Sequence, residues 1–396
     1  MSTSGRRRMK SKAQGLGLKA QGSGLKAHGS GLKAHGRTIP SLFALVSLTA
    51  VLAAQAPVAQ LARVAAEGHK QSGAPGMSVA VVVNDRIAWA EGFGHADVEN
   101  EVPAKANTVY RIASISKPIA ATAVMQLVER GRVTLDDPVQ KYVTAFPAKG
   151  EQVVTVRHLM THTSGIRHYR TGEMESRDNY ETVTDALRIF KDDPLLFAPG
   201  TKYSYSTYAY NLLAGVVETA SGLSFEEYLK ANVWTPAGMT ATYFDHVDAL
   251  IPKRAEQYLR AGGSWRNAPY ADLSNKWAGG GILSTAEDLA RFHIALDEGK
   301  LLKPATLEQM YTPYRLADGT ESAYGLGWNI SKDDRGRTWI AHAGGATGGT
   351  TYLLRDPSRK VAVAILCNVQ NAPGLRALAI QLADEATKAT KTNLNW

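Results

Sequence analysis

The chain has 396 residues, with 45 Lys and Arg against 36 Asp and Glu, which gives a formal net charge of +9. The first 56 residues hold nine of the basic side chains and no acidic one, so residues 57–396 carry equal numbers of both signs. Nucleic-acid binding needs clustered Lys and Arg on the folded domain, so the net charge does not indicate it. The single cysteine, Cys367, excludes an intrachain disulfide and lies in an apolar run typical of a buried strand.

Residues 1–56 are predicted to be a signal peptide with a Gly/Lys-rich repeat leader. An apolar run over residues 39–54 follows the repeats and ends in the Ala-x-Ala sequence that closes at Ala56. A basic start, a short apolar segment and small residues at a cleavage site are typical of secretory signals. We therefore expect cleavage near Ala56 and a secreted or periplasmic product without a stable membrane span. An organellar transit peptide is the alternative, because the leader has no acidic residue.

The chain after the leader is predicted to have strands near both ends and helices in the middle. Periodicity and turn residues predict, in chain order, a helix over residues 58–70, a hairpin of strands 77–83 and 86–93, and a helix beginning at Ser114. Helical segments broken by turns are predicted over residues 135–270, followed by a helix from a capping box at Ser284-Thr-Ala-Glu287 through Leu296. The remaining predicted elements are strands over 324–330, 338–342 and 350–354, a strand ending at Cys367, and a helix over 375–388. This order predicts an α+β fold with an antiparallel sheet flanked by helices. The sheet lobe would comprise residues 57–113 and 271–396. A mainly helical lobe of residues 114–270 would be inserted, leaving a cleft between the lobes.

Ser114-Ile-Ser-Lys117 places a hydroxyl and an amine three residues apart at the start of a predicted apolar helix. Residues at i and i+3 share a helix face, so the two side chains can touch. A serine becomes a nucleophile when a base takes its proton, and lysine can be that base if burial lowers its pKa from about 10.4 towards 7. The alternative is a helix cap followed by a solvated lysine, since the same spacing recurs in the leader at Ser23 and Ser30.

A second motif, Tyr205-Ser206-Thr207, lies on a predicted loop just before a helix over residues 210–220. A tyrosine near a lysine can shuttle a proton, because a neighbouring cation favours the phenolate. Tyr203, Tyr208 and Tyr210 are close in sequence, so Tyr205 could equally be one of several packing tyrosines. Alone, this motif is a weak indication of catalysis.

A third motif, His342-Ala-Gly-Gly345, ends the predicted strand that starts at Thr338. Glycines at a strand end let a substrate backbone approach closely. A backbone N–H from this segment could join that of Ser114 to bind a developing oxyanion, and one such donor contributes about 3 kcal/mol in studied enzymes. The alternative is a turn-rich strand end with a histidine whose hydrogen bonds the fold satisfies.

In order and context, the three motifs resemble those of the serine β-lactamase and penicillin-binding-protein superfamily. The resemblance is closest to class C β-lactamase-related hydrolases of the peptidase S12 type, which include D-Ala-D-Ala carboxypeptidases, esterases and LACTB-like proteases. It covers about residues 74–369 and rests on five further strings, Tyr110-Arg-Ile-Ala-Ser-Ile-Ser-Lys117, Leu135-Asp-Asp-Pro-Val139, Leu159-Met-Thr-His-Thr-Ser-Gly165, Gly279-Gly-Gly-Ile-Leu-Ser-Thr285 and Tyr324-Gly-Leu-Gly-Trp328. It implies a β-lactamase/transpeptidase-like fold and acyl transfer by a covalent serine mechanism, with no metal or organic cofactor.

The resemblance also implies a role for each motif residue. Ser114 would be the acyl-accepting nucleophile, Lys117 its partner, and Tyr205 a general base and acid. A second set would contact the substrate or its oxyanion, with the Ser114 and Gly345 amides as the oxyanion hole: Thr207, His342, Gly344 and Gly345.

Two positions depart from the family's usual pattern. Thr207 stands where the second motif usually has Asn, a change that LACTB-like members share, and His342 stands where β-lactamases usually have Lys. A free histidine is only about a quarter protonated at pH 7, so it should capture a β-lactam carboxylate less well. We therefore predict hydrolysis of an ester, amide or D-amino-acid peptide bond, with weak β-lactamase activity at most. The substrate would be a small molecule or peptide, with peptidoglycan-derived compounds among the candidates.

Four other classes of protein are the alternatives to a serine hydrolase of this superfamily. A zinc peptidase would use His158 and His162, with His168 nearby, but Leu159 stands where the H-E-x-x-H motif requires glutamate. No Gly-x-Ser-x-Gly elbow indicates an α/β-hydrolase, and the glycine-rich stretch 344–349 lacks the spacing of a nucleotide loop. The non-enzymatic alternative is a catalytically silent relative that binds peptidoglycan or a protein partner.

Overall fold

The computed structural model describes the backbone of residues 42–391 and the side chains of residues 57–388. The described residues from 48 onward form one compact unit. Most of the predicted leader lies outside the described residues, so the signal peptide and its cleavage site stay predictions. Within the described part of the chain, no helix is both long and apolar enough to cross a lipid bilayer.

The helices lie at both ends of the described chain and through its middle. They are α1 (Leu42–Ser72), α2 (Ser116–Glu129), α3 (Val156–Met160), α4 (Val183–Ala186), α5 (Thr207–Ser221), α6 (Phe225–Leu229), α7 (Thr235–Ala237), α8 (Trp277–Gly280), α9 (Ala286–Asp297), α10 (Pro304–Met310) and α11 (Leu375–Lys391). Short 3-10 turns lie at Ala113–Ile115, Val139–Lys141, Leu187–Ile189, Ser274–Lys276 and Pro357–Arg359, and a π-helical segment spans Lys230–Trp234.

The strands form one large sheet and two small ones. They are β1 (Gly76–Val83), β2 (Arg86–Asp97), β3 (Val102–Pro103), β4 (Tyr110–Arg111), β5 (Tyr243–Phe244), β6 (Tyr258–Ala261), β7 (Ser264–Asn267), β8 (Ile282–Ser284), β9 (Asn329–Lys332), β10 (Thr338–Ala346), β11 (Gly349–Asp356) and β12 (Val361–Cys367). The large sheet has the order β3-β2-β1-β12-β11-β10-β9, and all its neighbouring strands are antiparallel. The small sheets are β4-β8-β5 and the hairpin β6-β7.

Strand β1 lies inside the large sheet, between β2 and β12, and is buried along its whole length. Because side chains alternate along a strand, Val79 and Val81 enter one hydrophobic core while Ala80 and Val82 enter another. The first core lies against α1 and α11, and the second lies against α9 and the helices of the middle segment. This arrangement confirms the predicted α+β fold with an antiparallel sheet flanked by helices.

Helices α1 and α11 cover the same face of the large sheet. The buried residues of α11 recur at helical spacing: Leu375, Leu378, Ala379, Leu382, Ala383 and Ala386. The two helices meet closely at Gly68 of α1, where an added Cβ would lie 2.4 Å from a methyl carbon of Leu378. The two ends of the described chain are therefore packed together over one core.

Helix α2 lies inside the protein, since residues 116–127 are all buried. It packs against α5 and α8, and a helix that is buried all round is fixed by its neighbours on every side. The 3-10 turn that contains Ser114 runs directly into α2. The position of Ser114 is therefore set by the core of the molecule.

Several elements predicted from the sequence begin or end at different residues in the structure. The capping residue of α9 is Thr285, whose hydroxyl accepts a hydrogen bond from the Asp288 N–H at 3.0 Å, whereas the predicted cap Ser284 ends strand β8. The predicted strand over residues 324–330 is wrong for most of its length, because Gly327 has φ +87° and β9 begins only at Asn329. Strand β10 continues four residues beyond the predicted end at His342.

The predicted helical lobe of residues 114–270 also contains strands. β5, β6 and β7 all lie within this range, and β6 and β7 turn at Gly262 and Gly263, which both have positive φ. Paired glycines between two short runs are a hairpin signal, which the reading of this stretch as helical segments overlooked. The lobe boundaries at residues 113/114 and 270/271 stay predictions.

Candidate active site

Ser114 lies in a strained turn at the entrance of α2. The residue before it, Ala113, has φ +50°, a left-handed conformation that costs a non-glycine residue about 1–3 kcal/mol. The turn is held by the Ile115 N–H, which donates to the Ile112 carbonyl at 3.1 Å, and by the Ser116 hydroxyl, which donates to the Ala113 carbonyl at 2.7 Å. Ser114 itself is half-buried, so its hydroxyl is both held in place and accessible.

Lys117 is fully buried beneath Ser114. Its Nζ lies 3.0 Å from the Ser114 Oγ, 3.2 Å from the Thr207 Oγ1 and 2.6 Å from the Gly279 carbonyl oxygen. A neutral amine has two N–H donors and one lone pair. It can therefore donate to the Gly279 carbonyl and to Thr207 while it accepts the proton of Ser114.

The surroundings of Lys117 favour this neutral amine. Burial is the largest effect and holds the pKa of Lys117 well below its usual value, and the positive charge of Lys276 lowers it further. No carboxylate forms an ion pair with Lys117 among the described side chains. Burial of an amine without a counter-charge is the arrangement that makes lysine a base near neutral pH.

Thr207 and Gly279 close the far side of the Lys117 pocket. Thr207 is the first residue of α5, and its hydroxyl reaches Lys117 directly. Gly279 lies in α8, and a Cβ there would come within 2.4 Å of the Thr207 Cγ2. Only glycine fits at this contact, which brings its carbonyl to Lys117.

Tyr205 lies beside Ser114 and Lys117, half-buried in the loop before α5. Burial raises the pKa of Tyr205 well above its usual value, and its interaction with the Ser114 hydroxyl offsets only part of this rise. Lys117 Nζ lies over the face of the ring, 4.8 Å from its centroid. With its pKa raised in this way, Tyr205 is a neutral phenol near pH 7 and can donate a proton.

His342 lies within β10 and is buried, held by two hydrogen bonds. Its Nδ1 lies 2.7 Å from the Ala343 carbonyl oxygen, and its Nε2 lies 2.8 Å from the Tyr324 hydroxyl. A carbonyl only accepts, so Nδ1 carries the proton and Nε2 accepts from Tyr324. Burial, together with the charge of Lys117, lowers the pKa of His342 to about 3. His342 is thus a neutral, fixed residue near pH 7 and supplies no cation to a substrate.

Gly344 lies against the Ser114 turn. A Cβ at this position would lie 2.1 Å from the Thr351 Oγ1, 2.6 Å from the Ile112 carbonyl oxygen and 3.2 Å from the Ala113 Cβ. The absence of a side chain at Gly344 therefore makes room for the protein's own backbone, whereas the sequence predicted that it would make room for a substrate backbone. It brings β10 close to the turn that carries Ser114.

Gly345 faces open space instead, since a Cβ there would meet nothing within 4 Å. β10 pairs with β9 only as far as Ala341, which leaves the next five residues unpaired on that side. The β10-β11 hairpin turns through two residues, and the pair that closes such a turn exchanges hydrogen bonds, here Ala346 with Gly349. Pairs alternate along an antiparallel ladder, so the Gly345 N–H points away from β11.

A cleft of about 680 Å³ opens over these groups. Its lining includes Ser114, Tyr205, the β10 segment from Ala341 to Gly345, and Arg376 at the start of α11. Arg376 is the one lining side chain, among the described residues, that carries a charge when His342 is neutral. The cleft is therefore mildly positive at one end.

The structure brings all the predicted site residues to one place, from the Ser114 turn and α2, from the Tyr205 loop and the first residue of α5, and from β10. Reasoning from the sequence assigned no role to four others that touch them: Gly279, Tyr324, His162 and His168. Gly279, Tyr324 and His162 belong to strings that carry the resemblance, which gives none of them a role. The only role considered for the two histidines was zinc ligation, and the structure shows their Nδ1 atoms bonded to the backbone N–H groups of Ser206 and Thr207.

Comparison with known proteins agrees with this architecture. Residues 61–388 match the sequence model of the family described as Beta-lactamase. The chain is similar to the human serine beta-lactamase-like protein LACTB, mitochondrial, at 34% identity over 423 aligned positions that cover 80% of this chain and 77% of that protein. It is also similar to penicillin-binding protein 4* of Bacillus subtilis, at 28% identity over 299 positions, covering 71% of this chain and 65% of that protein.

A solved structure shows the same likeness in three dimensions. The octameric penicillin-binding protein homologue from Pyrococcus abyssi superimposes with a TM-score of 0.69 at 30% sequence identity. The match covers 82% of this chain and 76% of that one. The sheet and the helices around the Ser114 turn are therefore a shared architecture.

The close contact at Gly344 gives a first prediction. Gly344→Ala should lower the free energy of unfolding by about 1–3 kcal/mol, because the new methyl group meets backbone that cannot rotate away. Gly345→Ala is the matched control and should change it by less than about 0.5 kcal/mol, since its Cβ meets no atom. Urea unfolding of the two variants beside the unmodified protein measures the difference. Equal stability of the two variants would show that β10 does not press on the Ser114 turn.

Proposed function

The chain belongs to the β-lactamase family, within the superfamily of serine β-lactamases and penicillin-binding proteins, and we propose that it is a serine hydrolase that works through an acyl-enzyme. The observation that carries the proposal is the contact of Ser114 with a buried lysine that has no carboxylate partner among the described side chains. A lysine placed for stability alone would pair with an acid or reach solvent. Lys117 instead presents its lone pair to a hydroxyl at the floor of a cleft.

In the proposed acylation, the Ser114 Oγ bonds to the substrate carbonyl carbon while its proton passes to Lys117. The carbonyl oxygen becomes an oxyanion, for which the N–H groups of Ser114 and Gly345 are the proposed donors. The bond to the leaving group then breaks, and the leaving group takes the proton of Tyr205. Lys117 then passes the proton that it took from Ser114 to the Tyr205 phenolate, which restores both groups. A water molecule then attacks the acyl-enzyme, the proton transfers run in the reverse order, and the acid product leaves.

The proposed substrate is an ester, an amide or a D-amino-acid peptide, cleaved without a metal or organic cofactor. His342 is neutral and bound to Tyr324, so it cannot hold a β-lactam carboxylate as a lysine would, and we expect weak β-lactamase activity at most. Arg376 is the charged side chain available to a substrate carboxylate. Its guanidinium contacts the phenol of Tyr352 and forms no ion pair with any described residue.

We also propose that residues 1–56 direct the chain out of the compartment where it is made. Secretion into a periplasm and import into an organelle both fit this composition, and the human relative's name places that protein in mitochondria. Leu61 is the first buried side chain of the described part of the chain. Cleavage near Ala56 would therefore leave the core intact.

Ser114→Ala tests the chemistry directly. Turnover of p-nitrophenyl acetate, a D-Ala-D-Ala peptide and nitrocefin should fall below about one per cent, with the thermal unfolding midpoint retained, because the bond-forming atom is lost. Ser264→Ala, at an exposed serine of β7, should leave turnover unchanged. A fluorophosphonate probe should label the unmodified protein at Ser114. If the folded protein takes up neither this probe nor a penicillin, the catalytically silent binding protein is the correct alternative.

At low pH, the pH dependence of kcat/KM should be set by the protonation of Lys117. The base is active when neutral, so kcat/KM should rise with pH as Lys117 loses its proton. Lys276→Met removes a neighbouring positive charge, which raises the pKa of Lys117 and moves this limb to higher pH. Lys276→Arg retains a positive charge at this position and should not move the limb to higher pH. An unchanged limb in Lys276→Met would show that another group limits the rate.

Arg376→Gln should separate charged from neutral substrates. The KM for a peptide with a free carboxylate should rise about tenfold, the size of one charge-assisted hydrogen bond, while KM for neutral p-nitrophenyl acetate stays within about twofold. Arg335→Gln, at an exposed arginine outside the cleft, is the matched control. An equal effect on both substrates would rule out a carboxylate contact at Arg376.

A further inference from the structure

We propose that His162 and His168 are positioning residues that hold the catalytic loop at Tyr205 in place by capturing the two backbone N–H groups that follow it. This inference rests on the proposed function, because it assigns the histidines to the geometry of Tyr205. It concerns a different observation, namely two consecutive hydrogen bonds between imidazole nitrogens and the main chain. Neither histidine lines the cleft, so neither acts on the substrate itself.

The two hydrogen bonds are adjacent along the chain. The N–H of Ser206 donates to the His162 Nδ1 at 3.2 Å, and the N–H of Thr207 donates to the His168 Nδ1 at 3.2 Å. The first N–H groups of a helix have no partner inside that helix, and Ser206 and Thr207 stand at the start of α5. The segment of residues 162–168 therefore supplies the acceptors that the start of α5 needs.

His162 holds Tyr205 from both sides. Its backbone carbonyl accepts from the Ser204 N–H at 2.9 Å, while its ring accepts from the Ser206 N–H. His162 has φ +58°, and this left-handed conformation lets one residue turn both its carbonyl and its ring towards the loop. The residues immediately before and after Tyr205 are thus tied to a single histidine.

The rings of both histidines also contact the phenol. The centroids of His162 and Tyr205 lie 4.1 Å apart with the planes at 38°, and His168 meets the same ring edge-on at 5.5 Å. His162 is fully buried, so its ring cannot turn without displacing its neighbours. Tyr205 is therefore fixed through its backbone and its ring by the same two residues.

The arrangement requires neutral imidazoles, because Nδ1 can accept a hydrogen bond only when it carries no proton. The groups facing His162 are Lys117, His342, His168 and four tyrosines, 203, 205, 210 and 324. Burial and the charge of Lys117 hold the pKa of His162 well below its usual value. Lys117, Lys276, Glu173, Tyr169 and Tyr205 face His168. Burial, with both lysines, lowers the pKa of His168 to about 4.

Two substitutions of His162 by a side-chain amide, asparagine or glutamine, test the proposal. Asparagine places its side-chain oxygen near the site of Nδ1, whereas glutamine places it near Nε2. His162→Asn should keep kcat within about threefold of the unmodified protein. His162→Gln should lower kcat by about 10- to 100-fold with KM within about twofold, because Tyr205 is displaced while β10 and Arg376, which also line the cleft, stay in place. Both constants are measured with p-nitrophenyl acetate, and the thermal unfolding midpoint reports the fold.

A double-mutant cycle with Tyr205→Phe shows whether the histidine acts through the phenol. If it does, adding His162→Gln to the Tyr205→Phe variant should not lower the rate of acylation any further, as measured in single-turnover experiments. An equal loss in both backgrounds, or full kcat in His162→Gln, overturns the proposal. If His162→Gln does not fold, His168→Gln and His168→Asn give the same contrast at a half-buried residue.

The outcomes separate this proposal from the proposed function. Persistent turnover in Ser114→Ala would refute the serine mechanism whatever the histidines do. Loss of turnover in Ser114→Ala, together with unaffected His162→Gln, would leave the serine mechanism intact and refute only the positioning role.

Discussion

The burial of Lys117, with no acidic partner among the side chains of residues 57–388, is the constraint on which the rest of the site depends. A lysine removed from water is stable in a protein mainly as a neutral amine, and every contact of this one suits that state. Gly279 offers a carbonyl, Thr207 offers a hydroxyl, and Ser114 offers the proton that the lone pair can accept. The cost of burying the amine is met by the packing of α2, α5 and α8 around it.

This constraint explains why the three histidines around Lys117 are neutral. A second cation nearby would be repelled by Lys117 whenever it takes up a proton, and His162, His168 and His342 all have pKa values lowered in part by that charge. Each of the three histidines uses Nδ1 in a hydrogen bond to the backbone, which fixes its tautomer. The proposed base, Lys117, thus lies among neutral histidines whose rings are held in place.

The sequence predicted the fold class and the meeting of Ser114 with Lys117, since a three-residue spacing at a helix start is a local signal. It could not predict which carbonyl or hydroxyl would reach Lys117, because Thr207 and Gly279 come to it from helices 90 and 162 residues away. The same holds for His162 and His168. Their partners are main-chain N–H groups about 40 residues on, which no side-chain pattern marks. Thr285 rather than Ser284 became the cap because β8 uses Ser284 in its own pairing.

The order of the strands in the large sheet bears on how the protein is made. β1, near the start of the described chain, pairs on one side with β2 but on the other with β12, and α11 then joins α1 on the same face. During synthesis, one edge of β1 therefore stays unpaired, and its apolar face is not fully covered, until almost the whole chain has left the ribosome. Such long-range pairing slows folding and exposes nascent chains to aggregation, so this protein should depend on chaperones until its last helix emerges.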